Sequence, residues 1–139
     1  MIAVDTNILL RYLLEPIDTH NPNPQNIAAR RLIDQADKVY ISNIVVAELE
    51  WVLESVFGLG RTDIARLVQT LASNFRFMFD DWTALQRALL DYREHSRVDL
   101  SDCLIARCAQ QAGAATLYTF EGKRGLGGLK TATTLSADQ

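Results

Sequence analysis

Five acidic residues stand at positions where their type and spacing suggest chemistry. They are Asp5, Glu48, Asp99, Asp102 and Glu121. Asp5 directly follows a short apolar segment, and Glu121 comes two residues after another predicted strand. Carboxylates gathered from separate segments repel one another unless cations lie between them. Hard oxygen ligands with no accompanying Cys or His favour Mg²⁺, with Mn²⁺ as a substitute.

Glu48 is the acid whose position in a predicted helix is least typical of a surface residue. It lies four residues after Ile44 and three before Trp51, so helical periodicity places it in the apolar stripe. A carboxylate there must be paired, protonated or bound to a cation. Glu50 and Glu54, four residues apart, are interpreted as the solvated edge of the same helix.

Asp102 repeats this pattern, since Ile105 follows it at helical spacing. Structural roles are also open for these acids. Asp5 is consistent with a cap on the helix that follows it. Asp99 fits an N-cap with Asp102 reaching back in a loose capping box, and Glu48 fits an ion pair with a buried Arg. The chemical interpretation therefore depends on the coincidence of several acids.

Composition predicts one globular domain over residues 1–139, since 48% of the 139 residues are hydrophobic and 22% are charged. Cys103 and Cys108 are five residues apart in a predicted helix, which suits neither a disulfide nor a shared metal. We expect reduced thiols and a cytoplasmic location, with no signal peptide or membrane span. The chain has 14 Lys and Arg against 17 Asp and Glu. Outside the five acids the surface is therefore mildly basic, which suits an anionic substrate.

The candidate acids must be positioned by short strands that alternate with helices. This alternation predicts an α/β fold with a short parallel sheet of four to five strands flanked by helices on both faces. The predicted strands are residues 2–4, 39–41, 75–79, 115–119 and 131–135. The predicted helices are residues 8–14, 24–37, 43–57, 62–74, 82–94 and 101–112, with Ile27, Leu32 and Ile33 in the core stripe of the second. Loops are expected at 15–23 and, rich in glycine and basic residues, at 122–130. In such folds ligands bind at the carboxyl ends of strands, where Asp5 lies.

Four blocks of the sequence, in this order, resemble the PIN-domain ribonucleases. They are Val4-Asp5-Thr6-Asn7, Ile41-Ser42-Asn43 followed by Glu48-Leu49, residues 98–106, and Thr119-Phe120-Glu121. The length and the order of elements are most similar to the bacterial VapC toxins of toxin–antitoxin pairs. The resemblance covers essentially the whole chain.

The resemblance implies roles for individual residues. The implied catalytic acids are Asp5, Glu48, Asp99 and Asp102. The implied metal ligands are Asp5, Glu48, Asp102 and Glu121. Glu121 departs from the family, which usually has Asp at this position, and its longer side chain suits contact with the metal through water. Thr6 matches a hydroxyl residue that often lines the pocket.

The function implied is a metal-dependent endoribonuclease, in which a metal-activated water hydrolyses an RNA phosphodiester bond. Basic residues outside the pocket would contact substrate, with Arg11, Lys123 and Arg124 as candidates. A toxin of this kind is expected to form a homodimer and to be silenced by a cognate antitoxin, with the helices around Trp51 and Phe57 offering either interface.

Two other functions compete with the nuclease. One is a catalytically decayed PIN-fold module that acts in binding or dimerisation. The other is a Mg-dependent phosphatase of the haloacid dehalogenase class. That class requires a second Asp two residues after the first, and this chain has Asn7 there.

Overall fold

The computed structural model describes residues 1–14 and 23–137. Within it, three parallel strands from residues 2–79 form one sheet. Their bounds are β1 (Ile2–Ala3), β2 (Val39–Ile41) and β3 (Phe77–Phe79), in the order β1-β2-β3. Ile2 pairs with Val39, which pairs in turn with Phe77. Val39 and Ile41 are fully buried, so the central strand lies in the core. The carboxyl ends of all three strands therefore face the same edge.

A second, separate sheet is formed by the parallel strands β4 (Leu117–Thr119) and β5 (Ala132–Thr134). The predicted α/β class with parallel strands is confirmed, although the five strands divide into sheets of three and two. β1 has only two residues, and of the described strands it pairs with β2 alone, through bonds from Ile2 N to Lys38 O at 3.0 Å and from Val4 N to Tyr40 O at 3.4 Å.

Six α-helices fall within the described residues. Their bounds are α1 (Thr6–Leu13), α2 (Pro24–Gln35), α3 (Asn43–Ser55), α4 (Arg61–Ala72), α5 (Trp82–Glu94) and α6 (Leu100–Gln111), with a 3₁₀ turn at Leu126–Gly128. Asn23 caps α2 by accepting from Gln25 N at 2.9 Å, and Ser42 caps α3 by accepting from Val45 N at 3.2 Å. Glycines with positive φ follow α3 and α6, at +66° for Gly58 and +93° for Gly113.

The predicted core stripe of α2 is only partly right. Ile33 is fully buried, but Ile27 and Leu32 are 39% and 44% exposed, while Asn26 and Ala29 face inward instead. Asn26 can be buried because its side-chain oxygen accepts a hydrogen bond from Arg11 at 3.1 Å. The predicted loop at 15–23 lies almost wholly outside the described residues.

The helices bury a single cluster of aliphatic side chains against the sheet. Fully buried examples are Leu9, Leu49, Leu53, Leu85, Leu89 and Leu100. Cys103 and Cys108 are both free thiols, as predicted, and burial raises the pKa of Cys103 to about 12. None of the described helices combines the length and apolarity needed to cross a bilayer.

Candidate active site

The N-terminus of α1 brings the first of the predicted residues against α3. Asp5 is the N-cap residue, and its Oδ1 accepts from Ile8 N at 3.1 Å, so its capping role is confirmed. Thr6 is buried, and its hydroxyl donates a hydrogen bond to Glu48 Oε1 across 42 residues of sequence. This bond fixes one carboxylate oxygen of Glu48 beside the residue that follows Asp5.

Glu48 itself is exposed, so its predicted place in the inward stripe of α3 is wrong. Ile44 is 77% exposed and Trp51 is 65% exposed, so these two members of the predicted stripe lie on the outer face with Glu48, while its other members, Val45 and Val52, are half-buried. The buried stripe of α3 is instead Val46, Leu49, Glu50 and Leu53. Because α3 is apolar on nearly all sides, the sequence offers two stripes with the same helical spacing.

Glu50 is the buried acid of α3, with only 3% of its surface exposed, and was wrongly predicted to be solvated. Its Oε2 accepts from Leu100 N at 2.5 Å, and its Oε1 accepts from Ser101 N at 2.8 Å. Burial raises the pKa of Glu50, and the two backbone N–H groups act in the opposite direction. The spacing from Val46 to Glu50 and on to Leu53 was a signal that could have identified this residue.

Two predicted site residues, Asp99 and Asp102, lie at the start of α6, where Glu50 accepts the backbone N–H groups of Leu100 and Ser101. Asp99 occupies the N-cap position, but its side chain accepts no hydrogen bond from the backbone of α6, all of which is described. The proposed capping box is therefore wrong, and Glu50 instead accepts the N–H groups of the first two helical residues, Leu100 and Ser101. Asp102 lies in the first turn, three residues further along the same helix.

Asp102 lies in surroundings that disfavour its charged form. Burial raises its pKa, and the charges of Glu121 and Asp99 raise it further. The structure thus brings Asp99 and Glu121 into electrostatic range of Asp102, although the three acids come from two separate segments. A cation in this position would remove the repulsion.

Glu121 also has a structural bond within the glycine-rich loop. Its Oε2 accepts from Leu126 N at 2.8 Å, at the start of the 3₁₀ turn. A Cβ at Gly127 would lie 2.3 Å from the backbone oxygen of Glu121, and one at Gly125 would lie 2.6 Å from its Oε2. The loop therefore folds tightly around Glu121, and glycine is required there by close approach.

No hydrogen bond or ion pair among the described residues links the three predicted substrate-contacting residues to one another. Arg11 is half-buried and donates to Asn26 on α2 at 3.1 Å. Lys123 and Arg124 are both exposed in the loop that folds around Glu121. Of the three, the loop residues are the ones adjacent in sequence to a predicted acid.

Comparison with known families identifies the fold. A family model described as PIN domain matches residues 2–123. The chain belongs to the PIN domain family. PIN domains are generally metal-dependent nucleases, and the match spans all five predicted acids of this PIN domain. A search of curated proteins finds no match.

The oxygen donors of this PIN domain fit a hard divalent cation. Within the described residues, no three of the five predicted acids bring ligand oxygens within 4.8 Å of one another. Mg²⁺ is compatible with such a site, because proteins usually bind it through one or two carboxylates while it keeps several waters.

A different group in the PIN domain has its ligand atoms closer together. Asp91, Glu94 and His95 bring a potential ligand atom each within 4.8 Å of the others. Arg107 binds both oxygens of Asp91, with Nε at 2.6 Å and Nη2 at 2.9 Å. This guanidinium already neutralises Asp91 and would repel a cation, so we assign the group to an ion pair that joins α5 to α6.

Proposed function

We propose that this PIN-domain protein is a metal-dependent endoribonuclease of the VapC type, the toxin of a toxin–antitoxin pair, acting in the cytoplasm. The observation that carries the proposal is the electrostatic environment of Asp102. Its carboxyl group lies close enough to Asp99 and Glu121 for both to raise its pKa. A concentration of unneutralised carboxylates in a family of metal-dependent nucleases supports a site for Mg²⁺, with Mn²⁺ as a substitute.

Each acid has a role in this proposal. Asp102 binds the metal directly, Asp5 and Glu48 hold it directly or through its waters, Asp99 adds negative charge beside Asp102, and Glu121 completes the ligand set through water. The Asp5 carboxylate retains one oxygen that does not cap α1. The Thr6 hydroxyl orients Glu48 by donating to its Oε1, which leaves Oε2 for a ligand.

When bound there, Mg²⁺ would offset the charge of the scissile phosphate and lower the pKa of an attacking water. The residues of the chain would then act by orientation. Lys123 and Arg124, exposed beside Glu121, would contact phosphates of the substrate, with Arg11 as a further candidate. No protein nucleophile is required by this reaction.

The outer face of α3 and the turn after it have the exposed apolar side chains that a protein-binding surface of a toxin would need. Four large apolar side chains there are at least half exposed: Ile44 at 77%, Trp51 at 65%, Val56 at 64% and Phe57 at 50%. Contiguous exposed apolar surface is typical of a protein–protein contact. We propose that this face serves homodimerisation or binding of the cognate antitoxin.

The test is cleavage of end-labelled RNA by the purified protein in Mg²⁺, Mn²⁺ or EDTA. The test variant is Asp5→Asn, because Asn keeps an oxygen that can cap α1 while the substitution removes the charge. We expect metal-dependent cleavage that Asp5→Asn abolishes without loss of folding. Equal cleavage by the variant, or cleavage that persists in EDTA, would contradict the proposal.

A decayed binding module is the second candidate, and the bond from Leu126 N to Glu121 favours it. That bond at 2.8 Å gives Glu121 a structural role that requires no metal. The two functions differ in metal affinity, because an intact site should raise the melting temperature in Mn²⁺ or Mg²⁺. A metal-independent melting temperature in both wild type and Asp5→Asn would favour the binding module.

A further inference from the structure

Two adjoining cavities lie between α4 and α5. Their volumes are about 500 and 470 Å³. Arg66 and Arg93 line both of them, so the cavities adjoin at these two side chains. We call the pair of cavities the arginine groove and define it by Arg61, Arg66 and Arg93, with Tyr92 and Ser96 at one end and Asn74 at the other.

The lining of the arginine groove carries cationic and polar groups on a surface that is otherwise largely apolar. Besides the arginines, its polar residues include Thr62, Gln69, Thr70 and Ser73. No acidic residue is among the described residues that line it. Asp63 pairs with Arg66 at 3.3 Å beside the groove, but both side chains are more than half exposed, so this pair contributes little. The groove therefore offers hydrogen-bond donors and a net positive charge.

The three arginines differ in how firmly they are held. The Arg61 guanidinium lies 3.8 Å from the centre of the Tyr92 ring and donates to His95 O at 2.8 Å. Arg93 is exposed and forms no hydrogen bond or ion pair with any described residue. The groove thus combines one charge held in place with others that are available to a ligand.

One end of the arginine groove lies near the proposed active site. Ser96 lines the groove, and Asp99 follows it by three residues. Three residues span at most about 11 Å even when fully extended. The charges of Glu50 and Asp99 also contribute to the raised pKa of Tyr92, which lines the same end. A strand bound at the acids is therefore within reach of the groove.

We propose that the arginine groove binds the sugar–phosphate backbone of an RNA strand on one side of the scissile bond. This inference rests on the proposed ribonuclease function and adds a substrate-binding surface remote from the acids. The groove has the donors that phosphate oxygens accept, namely guanidinium, hydroxyl and amide groups. The groove is open and carries cationic side chains, which suits a flexible anionic strand. Contacts of this kind position RNA without reading its sequence.

The test is binding of a fluorescein-labelled single-stranded RNA in EDTA, followed by anisotropy at several salt concentrations. The test variant is Arg66→Gln with Arg93→Gln. The matched control is Arg31→Gln with Arg87→Gln, which removes the same charge from exposed positions outside the groove. We expect the groove variant to bind roughly tenfold more weakly at low salt. The slope of log K against log salt should fall by about 1.4, since each phosphate contact on a single strand contributes about 0.7.

Equal losses in the groove variant and the control would overturn the proposal, as would wild-type protein that binds no RNA. Competition by poly-glutamate at the same charge concentration as the RNA would assign the groove to an acidic protein and overturn the RNA assignment. Cleavage, measured separately in Mg²⁺, distinguishes the two proposals. Groove-dependent binding without metal-dependent cleavage would leave the groove standing and remove the nuclease. Metal-dependent cleavage together with unchanged RNA binding by the groove variant would support the nuclease and overturn the groove proposal.

Discussion

Glu48 and Glu50 lie two residues apart on α3, and their environments are opposite. Glu50 is 3% exposed, and both of its oxygens accept backbone N–H groups at the start of α6. Glu48 is exposed and accepts the hydroxyl of Thr6 at one oxygen. Two residues correspond to about 200° around a helix, so one acid faces the core while the other faces the predicted site.

The difference separates a carboxylate that holds the fold from one that is available for chemistry. Burial alone does not mark a metal ligand, because a buried acid can be satisfied entirely by backbone donors. Glu50 also joins α3 to the helix that carries Asp102, so it positions a predicted ligand without contacting the substrate. We therefore expect the two glutamates to fail in different ways when substituted.

The largest effect should come from Glu48→Gln. We expect RNA cleavage to fall by about 100-fold or more, because the change removes a charge from the metal site. The free energy of unfolding should change by less than about 0.5 kcal/mol, since the side chain is exposed and Gln can still accept from Thr6. Cleavage assays and urea denaturation measure the two quantities. A variant that cleaves at the wild-type rate would remove Glu48 from the ligand set.

Glu50→Ala should instead reduce stability. The N–H groups of Leu100 and Ser101 lose their acceptor inside the protein, which costs about 1–3 kcal/mol. The matched control is Glu54→Ala, an exposed position on the same helix, where urea denaturation should show almost no change. If both substitutions give the same free energy of unfolding, Glu50 does not hold α6 as described.

The same pair explains how far the sequence could predict the structure. Helix and strand positions agree with the prediction to within about two residues for most elements, because strands, capping residues and glycines leave local signals. Asn23, Ser42 and Gly113 are examples. The sequence offers two apolar stripes on α3, of which the Val46–Glu50–Leu53 spacing is one, and only tertiary packing selects which stripe is buried. The hydrogen bond that Leu100 N donates to Glu50 joins residues 50 positions apart, and no local sequence pattern encodes it.

Glu121 tests whether an acid can combine the two roles that Glu48 and Glu50 keep apart. Its Oε2 accepts from Leu126 N, yet its charge also raises the pKa of Asp102. We expect Glu121→Ala to reduce cleavage by roughly tenfold, as for a residue that supports a site indirectly. Asp102→Ala should reduce it more, because Asp102 binds the metal directly in the proposal. Equal losses of kcat in the two variants would place Glu121 among the direct ligands.

The smallest effect concerns the stability of the metal-free protein, where Asp102 should behave as an unsatisfied acid, unlike Glu50. Burial and the charges of Glu121 and Asp99 raise its pKa in the folded state above the unfolded value. The folded protein therefore keeps this proton to higher pH than the unfolded chain does, and the Asp102 contribution to stability declines as pH rises through the two pKa values. Asp102→Asn removes this decline, so in EDTA the variant should melt roughly 1–3 °C higher than wild type at pH 7 and match it more closely near pH 4. Added Mg²⁺ should reverse the order by stabilising only the wild type. A lower melting temperature for Asp102→Asn at pH 7 in EDTA would mean that the ionised carboxylate stabilises the fold, which would contradict the raised pKa of Asp102.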